Sequence, residues 1–184
     1  HYLFEAFRCE YNKRYLTNNK FVSVNLEIYI NGYIGEMFDL FGDGSNSYSL
    51  KNLNETLAAN PNYKEITVHI NSGGGLVSEG FAIHDKLRSL NVKVTTIVEG
   101  MCGSIATVIA QAGTKGYRLM FQNSEYFIHN PLYVPQGGEA LNADYLDKLT
   151  GELRKSESKL VDFYTTVTGA DRAILADKMK AETT

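Results

Sequence analysis

An α/β fold is predicted for this chain by three observations. Apolar residues alternate with strand period at Val24–Ile30, Ile66–Ile70 and Val92–Val98. The second and third of these segments run through glycine-rich turns into stretches of helical spacing. A single apolar stripe then continues for nearly thirty residues, from Glu139 to about Val167. Strands that alternate with helices at this interval imply parallel pairing, because a parallel crossover needs a dozen or more residues and usually supplies them as a helix.

Taken in order, residues 1–23 mix aromatic and basic side chains without a usable period and are left unassigned, as a tag or a flexible lead. Val24, Leu26, Ile28 and Ile30 form a half-buried strand that stops at Asn31-Gly32. The polar run Gly42–Ser47 is a loop, and a helix from about Ser49 to Ala59 carries Leu50, Leu53 and Leu57 before Asn60-Pro61 ends it. Ile66–Ile70 leads through Gly73-Gly74-Gly75 into a helix bearing Val77, Phe81, Ile83 and Leu87. Val92–Val98 leads through Gly100-Met101-Cys102-Gly103 into the small-residue segment Ser104–Ala110, which ends at Gly113. Tyr117–Phe121 and Tyr126–His129 read as short strands, the second stopped by Pro131. After the long helix, Thr168-Gly169 separates a shorter one from about Ala170 to Lys180. A helix this long exceeds what a small domain covers, so part of its stripe is expected to pack on another subunit.

Composition narrows the class. The chain has 184 residues, 43% hydrophobic and 21% charged, as expected of one domain with a single core. A net charge of -3 and a sequence pI near 5.8 provide no basic field for nucleic acid. No apolar run approaches the roughly 20 residues that span a bilayer, and no secretory leader is visible, so a cytoplasmic protein without a membrane partner is expected. Cys9 and Cys102 are too few for a disulfide framework and do not form a zinc pattern; neither metal nor cofactor is expected. The start at His1 and the stop at Thr184 lead us to expect incomplete ends.

Three elements carry chemistry. Ser104 stands where a strand turns into a helix, a place that serves equally for a helix cap and for a nucleophile at the carboxyl edge of a sheet. The Gly-x-Ser-x-Gly elbow is absent, since Cys102 and Ala106 occupy its glycine positions. His129 ends an apolar strand before Asn130-Pro131, and histidine is the side-chain type that suits a general base near neutral pH. His1 is terminal, His69 lies inside a strand and His84 inside a helix. Ser72-Gly73-Gly74-Gly75 is either a plain connection or a loop that lets a substrate backbone approach an N–H. Ser78 breaks the dinucleotide fingerprint there, and no Gly-Lys-Ser/Thr follows. Cys102 is a rival nucleophile by type, but it lies inside the turn and is read as a small filler.

The blocks Ile70–Gly75, Gly100–Ser104 and Phe127–Pro131 together resemble the signature blocks of the ClpP peptidase family, with similarity from about Leu26 onward. Leu26–Gly35 looks most like the phage and prophage branch. The resemblance implies a crotonase-like spiral of βαβ units with a protruding handle helix, spanning residues 24–184. It implies a serine endopeptidase with Ser104 as nucleophile, His129 as base and the N–H groups of Gly75 and Ile105 as oxyanion hole. The third triad member usually follows the handle helix; ungapped alignment on Thr168-Gly169 puts Glu182 there, with Asp177 and Asp171 as fallbacks. The resemblance also implies a homo-oligomeric heptameric ring, or two rings stacked as a tetradecamer, acting on peptides or unfolded proteins with an AAA+ Clp ATPase. Gly73 stands where the family usually has proline, and residues 1–23 do not resemble its axial-loop segment. Two further readings keep the fold: a phage-type capsid-processing protease working without an unfoldase, and an inactive structural ring subunit. Acyl-CoA chemistry would call for an acidic base in the pocket, and a Ser-Lys peptidase for a lysine in a comparable block.

Overall fold

The computed structural model describes residues 24–36, 46–135, 137 and 141–181. Residues 1–23, the glycines of the 42–47 loop, Cys9, Glu139 and Glu182 lie outside the described residues. The described chain forms two compact units, one running to Phe127 and one starting at Ile128.

The first unit is a parallel sheet with its helices. Its strands are β1 (Asn25–Ile34), β2 (Ser47–Tyr48), β3 (Glu65–Gly75), β4 (Lys93–Gly103), β5 (Arg118–Met120) and β6 (Glu125–Phe127). The order is β2-β1-β3-β4-β5, with β6 also pairing β4, and every pairing is parallel. Helices α1 (Leu50–Ala59), α2 (Val77–Ser89) and α3 (Ala106–Ala110) supply the crossovers. Leu26, Ile28 and Ile30 of β1, Ile66, Val68 and Ile70 of β3, and Val94 and Val98 of β4 are buried, as the alternation predicts. Ser49 and Asn52 form a reciprocal box at the start of α1, and Glu79 of α2 accepts the Leu50 N–H at 2.8 Å.

Three strands run further than the apolar pattern. Asn31-Gly32 does not end β1, which continues to Ile34; β3 continues through the glycines to Gly75, and β4 through Cys102 to Gly103. Glycine contributes nothing to a hydrophobic period, yet its backbone still pairs: Gly74 with Tyr33, Gly75 with Ile34 and Gly103 with Phe127, while Ser72 pairs with Cys102 beside them. These extensions follow register slips, between Asn31 and Tyr33 on β1 and between Ile70 and Ser72 on β3. Gly32 occupies the β1 slip at φ 74°, where a Cβ would lie 2.1 Å from the Asn46 carbonyl oxygen. Conversely, β6 stops at Phe127, two residues before His129.

The second unit holds α4 (Ala143–Thr168) and α5 (Arg172–Lys180), which pack on each other. The long helix begins at 143 because the Asn142 carboxamide accepts the Tyr145 N–H at 2.9 Å, and it ends where Gly169 turns left-handed at φ 72°. Leu160 and Tyr164 on its stripe are buried, whereas Leu146 is exposed. Asp171 caps α5, its Oδ1 accepting from Ala173 N at 2.8 Å and Ile174 N at 3.1 Å. Asp171→Ala is expected to cost about 1 kcal/mol, read as a lower urea midpoint. Among the described residues no helix is long and apolar enough to cross a membrane.

Candidate active site

Ser104 follows the last residue of β4, and its N–H donates to the Phe127 carbonyl of β6 at 3.1 Å. It is the one non-glycine residue among those described with positive φ, at 53°. That backbone costs an L-residue roughly 1–2 kcal/mol, so surrounding bonds must hold it. The Ser104 carbonyl accepts the Thr107 N–H at 3.1 Å and the Thr107 hydroxyl at 2.5 Å. Ser104 is not the helix cap: α3 begins at Ala106, Ile105 stands in the cap position, and no side chain caps that end.

The segment after Ser104 is anchored from beneath. Tyr126 donates its hydroxyl to the Thr107 carbonyl at 3.2 Å and accepts from Gln111 Nε2 at 3.2 Å. Arg118 donates to Gln111 Oε1 at 2.6 Å and to the Gly113 carbonyl at 2.9 Å. Desolvation lowers the pKa of this guanidinium, followed in effect by the neighbouring charge of Arg88. Arginine stays charged across any working pH, so the network persists.

The glycine loop lies against the hydroxyl. Gly74 has φ 109°, and a Cβ there would sit 2.6 Å from Ser104 Cβ and 3.2 Å from its Oγ. Only a hydrogen fits. Gly75 is instead tight against β1, where a Cβ would lie 2.1 Å from the Ile34 carbonyl oxygen; the adjoining Leu76 N–H donates to that oxygen at 2.7 Å. Sequence reasoning missed Gly74 as the close neighbour of Ser104, since three consecutive glycines do not reveal which one meets it. Gly73 has room: a Cβ would meet Met101 Sδ at 3.4 Å. Asn71 Oδ1 accepts the Met101 N–H at 3.0 Å and so shapes the β4 segment leading to Ser104. Ile105 is buried, its side chain against Gly80 of α2.

Cys102 is fully buried, and burial pushes its thiol well above the ordinary range, which removes the thiolate a nucleophile needs. His69 is placed between Glu99 at 2.6 Å and Glu27 at 2.7 Å and stacks on Tyr29. His84 meets Asp85 at 2.9 Å, and desolvation lowers its pKa. His129 belongs to the second unit and is half-buried. Next to it, Asn130 N donates to the Met179 carbonyl of α5 at 3.0 Å. Of the fallback acids, Asp171 is occupied as a cap and Asp177 is exposed on α5. Among the described residues no cluster of His, Cys, Asp or Glu is arranged to hold a metal ion.

A family profile described as Clp protease matches residues 49–184. ATP-dependent Clp protease proteolytic subunits of Streptococcus pyogenes, among them those of strains Manfredo and NZ131, are 43% identical over 104 residues. The match covers 54% of this chain and 53% of theirs, so the chain spans about half the length of the curated relatives it matches. Among solved structures, a ClpP1 point mutant from Listeria monocytogenes aligns with TM-score 0.67 at 20% identity, covering 84% of this chain and 78% of that one. That likeness carries the crotonase-like fold expected from the sequence.

Proposed function

Because this chain belongs to the Clp protease family, we propose that it is a serine endopeptidase, with Ser104 as nucleophile, His129 as general base and residues 24–184 as one peptidase domain. The observation that carries the reading is the strained backbone of Ser104 at the end of β4, with the bare face of Gly74 against its side chain. A serine that merely filled a structural ring subunit would gain nothing from a conformation that costs stability.

Ser104 Oγ attacks the scissile carbonyl while His129 takes its proton and later delivers it to the leaving amine. His129 lies two residues along the chain from Phe127, whose carbonyl receives the Ser104 N–H. The oxyanion is received by the N–H groups of Gly75 and Ile105. Use of the Leu76 N–H in the β1 bond supports this for Gly75, since successive N–H groups of an extended strand point to opposite sides. Glu182 is the proposed orienting acid, with Asp177 as fallback. The substrates are peptides or unfolded proteins, handled in the cytoplasm by a heptameric ring or a stacked pair, with an AAA+ Clp ATPase as feeder. The exposed Leu146 on a helix whose later stripe is buried supports assembly through the early turns of α4. A phage-type enzyme would dispense with the feeder.

Fluorophosphonate labelling read by intact mass tests this. One adduct per chain is expected on the wild type, none on Ser104→Ala, and a sharply slower reaction on His129→Ala. An adduct that survives Ser104→Ala, or an assembled wild type that takes none, rules the reading out.

A further inference from the structure

Ser72 entered the sequence reading only as the residue that opens the glycine loop. We infer that its hydroxyl is a positioning group for peptide hydrolysis, fixing the turn from which the Gly75 N–H reaches the oxyanion; this rests on the serine-peptidase reading above.

Ser72 is 2% exposed, and its hydroxyl is engaged entirely with backbone. It donates to the Gly32 carbonyl at 2.5 Å and accepts the Gly74 N–H at 3.1 Å. A hydroxyl carries one proton, so the two roles are assigned without ambiguity: the proton goes to Gly32 and a lone pair receives Gly74. Losing the hydroxyl would deprive the buried Gly74 N–H and the part-buried Gly32 carbonyl of this partner at once.

Both ends of this relay are placed with purpose. Gly32 sits at the slip in β1, and the next N–H, that of Tyr33, is held by the Asn46 carbonyl at 2.8 Å, which fixes the direction of the Gly32 carbonyl. Gly74 is the residue that meets Ser104. Anchoring the Gly74 N–H sets the peptide plane before it, and the φ and ψ of Gly74 together relate that plane to the next one, which carries the Gly75 N–H; its φ is 109°. Glycines have no side chains to hold such planes, so a neighbouring hydroxyl supplies the restraint that sterics do not. The hydroxyl touches neither substrate nor Ser104 in this arrangement; it acts through the loop.

The test compares Ser72→Ala, Ser72→Thr and Ser72→Cys with the wild type for peptide hydrolysis and fluorophosphonate acylation rate, with circular dichroism and assembly state as fold controls. Ser72→Ala is expected to lose about 10- to 100-fold in kcat and in acylation rate with KM within about twofold, the pattern of an interaction made only in the transition state. Ser72→Thr, which keeps the hydroxyl, is expected to recover part of the loss. Wild-type rates in Ser72→Ala, or a loss expressed mainly in KM, overturn the inference while the peptidase reading stands. Should Ser72→Ala fail to fold, Ser72→Cys decides: a thiol of similar size but weak hydrogen bonding is expected to show the same kcat loss, and wild-type kcat overturns the role. A wild-type protein that neither labels nor cleaves overturns both readings, and the control reveals it.

Discussion

Ser104→Ala is expected to lower peptide hydrolysis by about 10⁴-fold or more while leaving the denaturation midpoint where it was. The hydroxyl proposed to attack is lost, but nothing structural goes with it: Ser104 caps no helix, and the bonds that hold it are made by its backbone N–H and carbonyl, which alanine retains. Ser104→Gly separates the two quantities further. It is equally inactive, yet glycine accepts a φ of 53° without the side-chain penalty. Relief of about 1–2 kcal/mol of backbone strain, less the roughly 0.4–1 kcal/mol by which a glycine stabilises the unfolded chain, leaves a net gain of about 0–1.6 kcal/mol, centred near 0.8. Urea unfolding of the three proteins at one concentration measures it. If Ser104→Gly unfolds more easily than Ser104→Ala, the strained serine is an incorrect description.

The second large effect lies across from that serine. Gly74→Ala would force a methyl to 2.6 Å from Ser104 Cβ and 3.0 Å from the Gly103 carbonyl oxygen, at a φ that alanine resists. Relief requires moving either the β3 loop or the β4 end, and both carry the proposed chemistry. We expect a loss of roughly 100-fold or more in kcat/KM, since a misplacement of about 1 Å already has that effect. Stability should fall by about 2–4 kcal/mol, from overpacking and backbone strain together. Gly73→Ala is the control: its methyl would meet only Met101 Sδ, at 3.4 Å, and the flexible thioether can yield. Activity within a few-fold of wild type is expected there, measured in the same peptide assay. Equal losses at both positions would mean that glycine is required along the whole loop rather than for contact with Ser104.

The architecture was legible wherever side chains carry the signal. Ile66, Val68 and Ile70 announce β3 by their period, Ser49 and Asn142 stand where helix caps are wanted, and Gly169 ends α4 as a left-handed stop. Legibility failed where backbone alone does the work. Asn31-Gly32 looks like the end of a strand, although an isolated glycine in a strand pattern equally signals a bulge, which is its role here. Gly74, Gly75 and Gly103 look like turn residues, yet they pair in ladders. At the site, Ser104 and the glycine loop could be named from residue type and spacing. The positive φ of the serine and the choice of Gly74 as its neighbour could not, because both follow from how β3 and β4 are phased. Ser72 was in plain view, but a hydroxyl that bonds only to main chain leaves no spacing to recognise.

The two register slips have a consequence for how this protein tolerates change in length. A strand assigns each residue to one of two sheet faces by parity, and adding or removing one residue inverts the assignment for everything that follows. Such edits are ordinarily ruinous within a sheet. Here the burial alternation runs straight through both slips: Ile34 on β1, and Ser72 and Gly74 on β3, are buried beyond them in step with Ile30 and Ile70. Ile66, Val68 and Ile70 lie upstream of the β3 slip, but Ile34, equally part of the core, lies past the one on β1. An insertion or deletion past either slip would turn Ile34, Ser72 or Gly74 to the opposite face, so burial dictates residue count to the ends of both strands, and the site can vary by substitution but not by length.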